Sequence, residues 1–259
     1  VHSETASDSA QAISVFEMVT GIAPDYAMGH CQLANAHMKV GNLRRAMRAF
    51  RRAVNCDDQL PEAYLGLGLL FRKWPKGDYD AVRNFQKALQ YRRDYVEARF
   101  NIAEIRYRHC ELDAKGDIEK VLAADPKYAP AYKLMGMFYE ALRKEYDAAA
   151  LYYAQYLSLR PGDKEARGRL GRAYLRASNY DRILDLLEAH VRSSPGESEL
   201  LPILAQACTK LEACERAEAY YHQYLKQVSA KERFHYEDIP LLAKPEELRE
   251  YLEVIGTAR

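Results

Sequence analysis

The chain has 259 residues, of which 48% are hydrophobic and 29% charged, with 38 Lys and Arg against 37 Asp and Glu. Apolar content of that size with balanced charge excludes disorder as the main state. No run approaches the roughly 18 apolar residues of a membrane span, the opening residues lack the basic start and apolar stretch of a secretory signal, and five cysteines are too sparse for a disulfide framework.

Taken in chain order, the elements repeat. Residues 1–26 hold a single helix, in which Ala12 precedes Phe16 by four residues, and are expected to be a partial repeat or an N-terminal cap. Residues 27–60 hold two helices. Leu33, Ala34 and His37 share one face of the first, Gly41-Asn42 breaks it, and Ala46, Phe50 and Ala53 mark the second. Five further units follow the same plan: 61–95 with Gly68, Ala81 and Phe85, 96–128 with Ala103, Ala114 and Ile118, 129–163 with Gly136, Ala149 and Tyr153, 164–197 with Gly171, Ile183 and Leu187, and 198–231 with Ala205, Ala217 and Tyr221. The small series and the large series keep one phase, with steps of 33 to 35 residues. A small residue lets two helix backbones approach, and the large one fills the space opposite. Neither helix buries its apolar face alone, so neighbouring units must stack.

Unit 96–128 is expected to be the weakest, because Arg99 and Arg106 sit where other units are apolar and Gly116 interrupts its second helix. Trp74-Pro75 expands the turn of unit 61–95 and is read as packing over that turn or as a partner contact. Residues 232–259 leave the pattern. Pro245-Glu246-Glu247 is a good helix start, with Leu248, Leu252 and Ile255 as one stripe, expected as a capping helix or the opening of a further domain. The segment Tyr236 to Tyr251 faintly resembles the lead-in to bacterial GWxTD-type domains, whose motif is absent.

The pairs Leu33-Ala34, Leu67-Gly68, Ile102-Ala103, Met135-Gly136, Leu170-Gly171 and Leu204-Ala205 resemble the first-helix signature of the tetratricopeptide repeat family. Closing prolines at Pro24, Pro126, Pro161 and Pro195 fit it, while Asp58 and Arg93 replace the proline in two units. The resemblance covers about residues 7–229. It implies an all-α, right-handed superhelical solenoid of antiparallel helix pairs, with a concave groove lined by the first helices. It also implies a protein-interaction scaffold or adaptor that holds a peptide or helix of a partner protein in that groove, without cofactor or metal and without catalysis.

By the repeat register, the groove contacts are Asn35, Leu65, Leu69, Phe100, Asn101, Tyr107, Lys133, Met137, Arg169, Arg172 and Arg176. Leu65, Leu69, Phe100, Leu134 and Met137 form an apolar set that either anchors a partner or is covered by neighbouring first helices. Lys133, Arg169, Arg172 and Arg176 form a basic strip suited to carboxylates. The lysine and asparagine set that clamps acidic chaperone tails in this family is not reproduced, since the corresponding positions are Cys31, Asn35, Gly66, Glu97 and Asn101.

No catalytic constellation is visible. His30 and His37 sit where the family places aromatics and read as buried packing, while no cysteine and histidine spacing matches a zinc site and no phosphate loop occurs. Cys31 and Cys56 fall where a disulfide is conceivable, as do Cys208 and Cys214. Residues 27–110 hold 16 Lys and Arg but only 8 Asp and Glu, with Arg44, Arg45, Arg48, Arg51 and Arg52 on the outer face of one helix. A pI near 7.8 without stacking aromatics disfavours nucleic acid as that face's partner. The alternative function is a recruitment or regulatory domain of a larger multidomain protein of bacterial type. The expected compartment is cytoplasmic, or periplasmic or exported if the chain is a fragment.

Overall fold

The computed structural model describes residues 2–194 and 197–227, and every regular element within them is helical. The chain divides into two compact units, Val1–Ala131 and Tyr132–Arg259. The first holds α1 (His2–Ile22), α2 (Ala27–Lys39), α3 (Leu43–Cys56), α4 (Pro61–Phe71), α5 (Asp78–Tyr91), α6 (Val96–Arg108) and α7 (Ala114–Ala124). The division falls inside α8 (Ala129–Phe138), and the second unit continues with α9 (Tyr146–Leu159), α10 (Lys164–Arg176), α11 (Tyr180–Ser193), α12 (Leu201–Lys210) and α13 (Cys214–Gln227). One π-helical turn, Tyr139–Arg143, prolongs α8, and a short 3-10 turn, Ser198–Leu200, leads into α12. The helix expected over Pro245–Ile255 and the closing Pro195 lie outside the described residues.

Consecutive helices pair, α2 with α3, α4 with α5 and α12 with α13 among them. The residues that pair them are those of the small and large series. Ala34, Ala103 and Ala205 are fully buried, as are Phe50, Phe85, Ile118, Tyr153 and Leu187. The fit is close enough that glycine is required: a methyl on Gly68 would stand 2.4 Å from the Phe85 ring, and one on Gly66 would stand 2.1 Å from the Phe50 ring. Phe50 therefore reaches past its own pair to the first helix of the next. Each such ring adds about 1.5–3 kcal/mol of hydrophobic burial, and for Phe50 part of it is gained only when the next pair stacks on its own.

A second periodic feature sits in the turns. Each turn from a first to a second helix holds one residue with left-handed backbone: Gly41 (φ 77°), Lys76 (62°), Cys110 (58°), Lys144 (55°), Ser178 (59°) and Glu212 (58°). In four of them the following amide returns to the carbonyl five residues back, from Asn42 to His37 (2.8 Å), Glu111 to Arg106 (2.9 Å), Asn179 to Tyr174 (2.9 Å) and Ala213 to Cys208 (2.9 Å). This closure satisfies carbonyls that a helix end leaves open. Five of the six sites use a residue other than glycine, which costs about 1–2 kcal/mol each in that region.

Several expectations are corrected here. Gly116 does not interrupt the second helix of its unit, because α7 runs through it from Ala114 to Ala124. Arg106 is not a misfit at an apolar position, since Nη1 lies 2.5 Å from Oδ2 of the buried Asp117. Cys31 and Cys56 form no disulfide: both are free thiols, as are Cys110 and Cys208. Trp74 packs edge to face on Phe71, with centroids 5.5 Å apart, which is the packing reading of its place in the turn. His30 and His37 are both buried at 3% exposure, and His30 Nε2 lies 2.7 Å from the Pro24 carbonyl oxygen.

Candidate functional site

The first helices were expected to present an apolar cluster and a basic strip. In the first unit Leu65 takes the covered alternative: it is 7% exposed and belongs to one core cluster with Phe85, Ala98 and Ile102. The helix one repeat along covers it. Leu69 is half-buried against the same core, and Phe100 lies edge to face with Tyr128 at 5.2 Å. Asn101 is 4% exposed, donating to the Glu97 carbonyl at 2.7 Å and accepting from Arg72, so it is a structural hydrogen-bond partner and not an open contact. Asn35 and Tyr107 are half-buried on α2 and α6.

In the second unit Leu134 is likewise buried at 5%, and Met137 packs against the core around Tyr153 and Leu170. The basic strip is already engaged by carboxylates of its own and of neighbouring repeats. Lys133 Nζ lies 3.0 Å from both Asp163 and Glu165. Arg169 bridges Glu165 at 3.0 Å and Glu140 at 3.2 Å. Glu140 also accepts from the Tyr153 hydroxyl at 2.7 Å and lies 3.6 Å from Arg176. Burial opposes the charge on Arg169, but Glu165, Tyr153 and Glu140 outweigh it and hold the guanidinium firmly protonated. Arg172 is half-buried and has no ion pair among the described residues.

These contacts belong to a ladder that sequence reasoning missed. Acid and base recur about 30 residues apart: Glu62 with Arg92, Asp78 with Arg108 (2.8 Å), Lys133 with Asp163, Arg167 with Glu197 (2.7 Å) and Glu188 with Arg216. Glu188 with Arg216 ties α11 to α13, Asp78 with Arg108 ties α5 to α6, and the other three tie a first helix to the segment that leads into the next first helix. The signal was present as opposite charges offset by slightly less than the repeat, but each pair looks isolated until the units are stacked.

What remains open is a cleft in the second unit of ≈ 190 Å³, lined by Leu175, Arg176, Tyr180, Gln206, Thr209, Lys210 and Tyr221. Leu175 and Arg176 come from the last turn of α10, Tyr180 from the start of α11, Gln206, Thr209 and Lys210 from α12, and Tyr221 from α13. The repeat register places five of the seven on the inner wall. Tyr180 and Tyr221 were not foreseen, the latter because its series is otherwise core. Arg176 keeps 53% of its side chain exposed, and Lys210 is exposed with no ion pair among the described residues. The cleft is smaller than the 300–1,000 Å³ usual for a cofactor or small-molecule site, and its lining is mainly apolar and includes two cations. It suits a side chain of a partner next to an anionic group. Among the described residues no group of His, Cys, Asp and Glu is arranged to hold a metal ion, and no helix is long and apolar enough to cross a membrane.

Residues 139–198, which include the π turn, α9, α10 and α11, match the tetratricopeptide repeat family model. That stretch reads as tetratricopeptide repeat, and the helix pairs on either side of it follow the same plan. The chain is similar to the BBSome complex member BBS4 of Bos taurus, 27% identical over 201 residues, which cover 76% of this chain and 38% of the bovine protein. The match thus spans well under half the length of that relative. Among solved structures, the C-terminal part of a tetratricopeptide repeat-containing protein from Cytophaga hutchinsonii superposes with a TM-score of 0.69 at 16% identity, covering 92% of this chain and 95% of that one. YrrB, described as a tetratricopeptide repeat protein with an unusual peptide-binding site, superposes at 0.57 with 21% identity, covering 73% and 97%. The tetratricopeptide repeat fold is one that generally serves as a non-enzymatic scaffold for protein–protein interaction.

Proposed function

We propose that the chain is an interaction scaffold that takes an extended or helical segment of a partner protein along its first helices, with the cleft between α10 and α12 as the anchoring point. The observation that carries this reading is the cleft's composition: Leu175 and Tyr180 line it together with two cations, Arg176 and Lys210, whose charge is not fully neutralised. A carboxylate, at a chain terminus or on an acidic side chain, meets a guanidinium and an ammonium there while an apolar side chain enters between the tyrosines. Arg172, Arg169, Lys133 and Met137 extend the contact in the second unit, and Asn35, Leu69, Phe100 and Tyr107 offer a further one in the first. The peptide-binding site named for YrrB and the complex membership named for BBS4 favour the same role.

The test is a selection of random peptides displayed with free C-termini, followed by isotherms with the winners. Arg176→Glu and Lys210→Glu should each weaken binding about tenfold or more, as expected for a desolvated charge contact. A selection that enriches nothing, or winners that bind both variants like wild type, would remove the cleft from the account.

A further inference from the structure

The two faces of the repeats differ in how their cations are used. On the first helices, arginines and lysines are bridged to carboxylates a repeat away. On the outer face of α3, Arg44, Arg45, Arg48, Arg51 and Arg52 are all exposed, and none has an ion pair among the described residues. The buried side of that helix is Ala46, Ala49, Phe50 and Ala53, so the five arginines make up the opposite face.

The helix also departs from its counterparts at its start. The second helices α5, α7, α9, α11 and α13 carry an acid in the first turn: Asp78 and Asp80, Asp117, Asp147, Asp181 and Glu215. There it complements the positive end of the helix dipole. In α3 that turn holds no acid and instead carries Arg44 and Arg45. A local rule kept by five units and reversed in one, without compensation in the fold, marks a surface shaped by something other than folding.

We infer that the outer face of α3 docks an acidic helix of another protein. Arg44, Arg48 and Arg52 stand four residues apart, about 6 Å per step at 1.5 Å rise, which is the spacing of glutamates placed at every fourth position of a helix. The row continues in register on the neighbouring second helices: Arg83 and Lys87 of α5 lie 35 residues after Arg48 and Arg52, and Lys120 of α7 lies 33 after Lys87, all exposed. Lys87 Nζ sits 5.0 Å over the Tyr64 ring, with no carboxylate partner. On α3 itself the features that would favour other polyanions are missing. No exposed aromatic lies on α3 to stack a base, since Phe50 is fully buried, and no apolar face remains on α3 to enter a lipid surface.

The experiment measures binding of three labelled probes to the full chain. They are an alanine-based helical peptide of about 20 residues with glutamate at every fourth position, a DNA duplex of similar charge, and vesicles of phosphatidylcholine with phosphatidylserine. The variants are Arg44→Glu/Arg48→Glu/Arg52→Glu and a control with the same charge change at exposed sites of the second unit, Lys144→Glu/Arg160→Glu/Arg182→Glu. Circular dichroism verifies that both remain helical. Wild type should bind the acidic helix most tightly and weaken about tenfold or more between roughly 50 and 200 mM salt. The α3 variant should lose about tenfold or more in affinity and the control less than about twofold. The inference is overturned if the acidic helix does not bind, if the control loses as much as the α3 variant, or if duplex or vesicles bind more tightly in an α3-dependent way. Because Arg176 and Lys210 are untouched in all of these proteins, failure here leaves the cleft reading standing, and failure of the cleft leaves this one.

Discussion

Replacing Arg48 by glutamine should make the protein more stable. Arg48 lies four residues from Arg44 and Arg52 and three from Arg45 and Arg51, so it takes part in four like-charge pairs on one helix surface. Each pair of that kind costs about 0.2–0.5 kcal/mol. Glutamine has nearly the helix propensity of arginine, so removing the charge should recover about 1–2 kcal/mol at low ionic strength, a rise in Tm of roughly 2–6 °C for a chain of this size. The gain should shrink in about 1 M salt, where the screening length falls to about 3 Å. A second readout lies beneath the helix. Burial lowers the pKa of His37, Arg45 lowers it further, Glu17 opposes them, and Arg48 adds a lesser lowering of its own. In Arg48→Gln an NMR titration should find that pKa raised. Urea unfolding at both salt concentrations supplies the stabilities. If the variant is no more stable than wild type at low salt and His37 titrates unchanged, the patch is not electrostatically uncompensated, and the case for it as a docking face falls with it.

Three further outcomes follow from the packing and the turns. Ser178→Gly should raise stability by up to about 1 kcal/mol and Gly41→Ala should lower it by about as much, since both positions hold left-handed backbone; thermal unfolding of the two would conflict with the turn assignment if the signs were reversed. Gly68→Ala should be destabilising by about 1–3 kcal/mol of overpacking less about 1 kcal/mol of helix propensity, and Phe85→Leu should relieve part of it, so that a double-mutant cycle shows a favourable coupling of about 1 kcal/mol or more. Additive effects would mean the methyl and the ring do not meet. Burial raises the pKa of Asp163, but the Ala166 amide, the Tyr156 hydroxyl and the Lys133 ammonium outweigh it and bring it down to about 2. With the folded value below the ordinary 3.8, the stability it adds is present above about pH 4 and lost as pH falls toward 2, roughly 2 kcal/mol in all. Asp163→Asn should flatten that part of the acid-unfolding curve, and an unchanged slope would contradict it.

The helix pairs were legible because volume complementarity recurs in every unit. Ala34 with Phe50, Gly68 with Phe85 and Gly136 with Tyr153 can be read as small and large residues before any coordinate is known. The left-handed turns were not, because one glycine, Gly41, stands among Lys76, Cys110, Lys144, Ser178 and Glu212, residues with no shared chemistry. Backbone closure by the next amide selects the conformation there and leaves the side chain free to vary. Of the residues that register assigns to the first-helix faces, several are already covered or paired in the fold. Register says which way Leu65 and Asn101 face, yet only stacking shows that the next first helix buries the one and that Arg72 occupies the other. The same holds for Lys133 and Arg169, which reach Glu165 and Glu140 of the neighbouring units. Charge in a repeat array is thus informative where it stays unpaired after stacking, at Lys210 beside the cleft and along the outer face of α3.

Hydrogen exchange of the chain with and without a selected peptide tests the scaffold reading most directly, because it reports the helix on which the partner lies. The account predicts slowed exchange at the end of α10, around Leu175 and Arg176, and in α12 around Gln206 to Lys210, with α11 and α13 little changed beyond their edges at Tyr180 and Tyr221. Protection confined to the outer helices α9, α11 and α13, or none at saturating peptide, would contradict it.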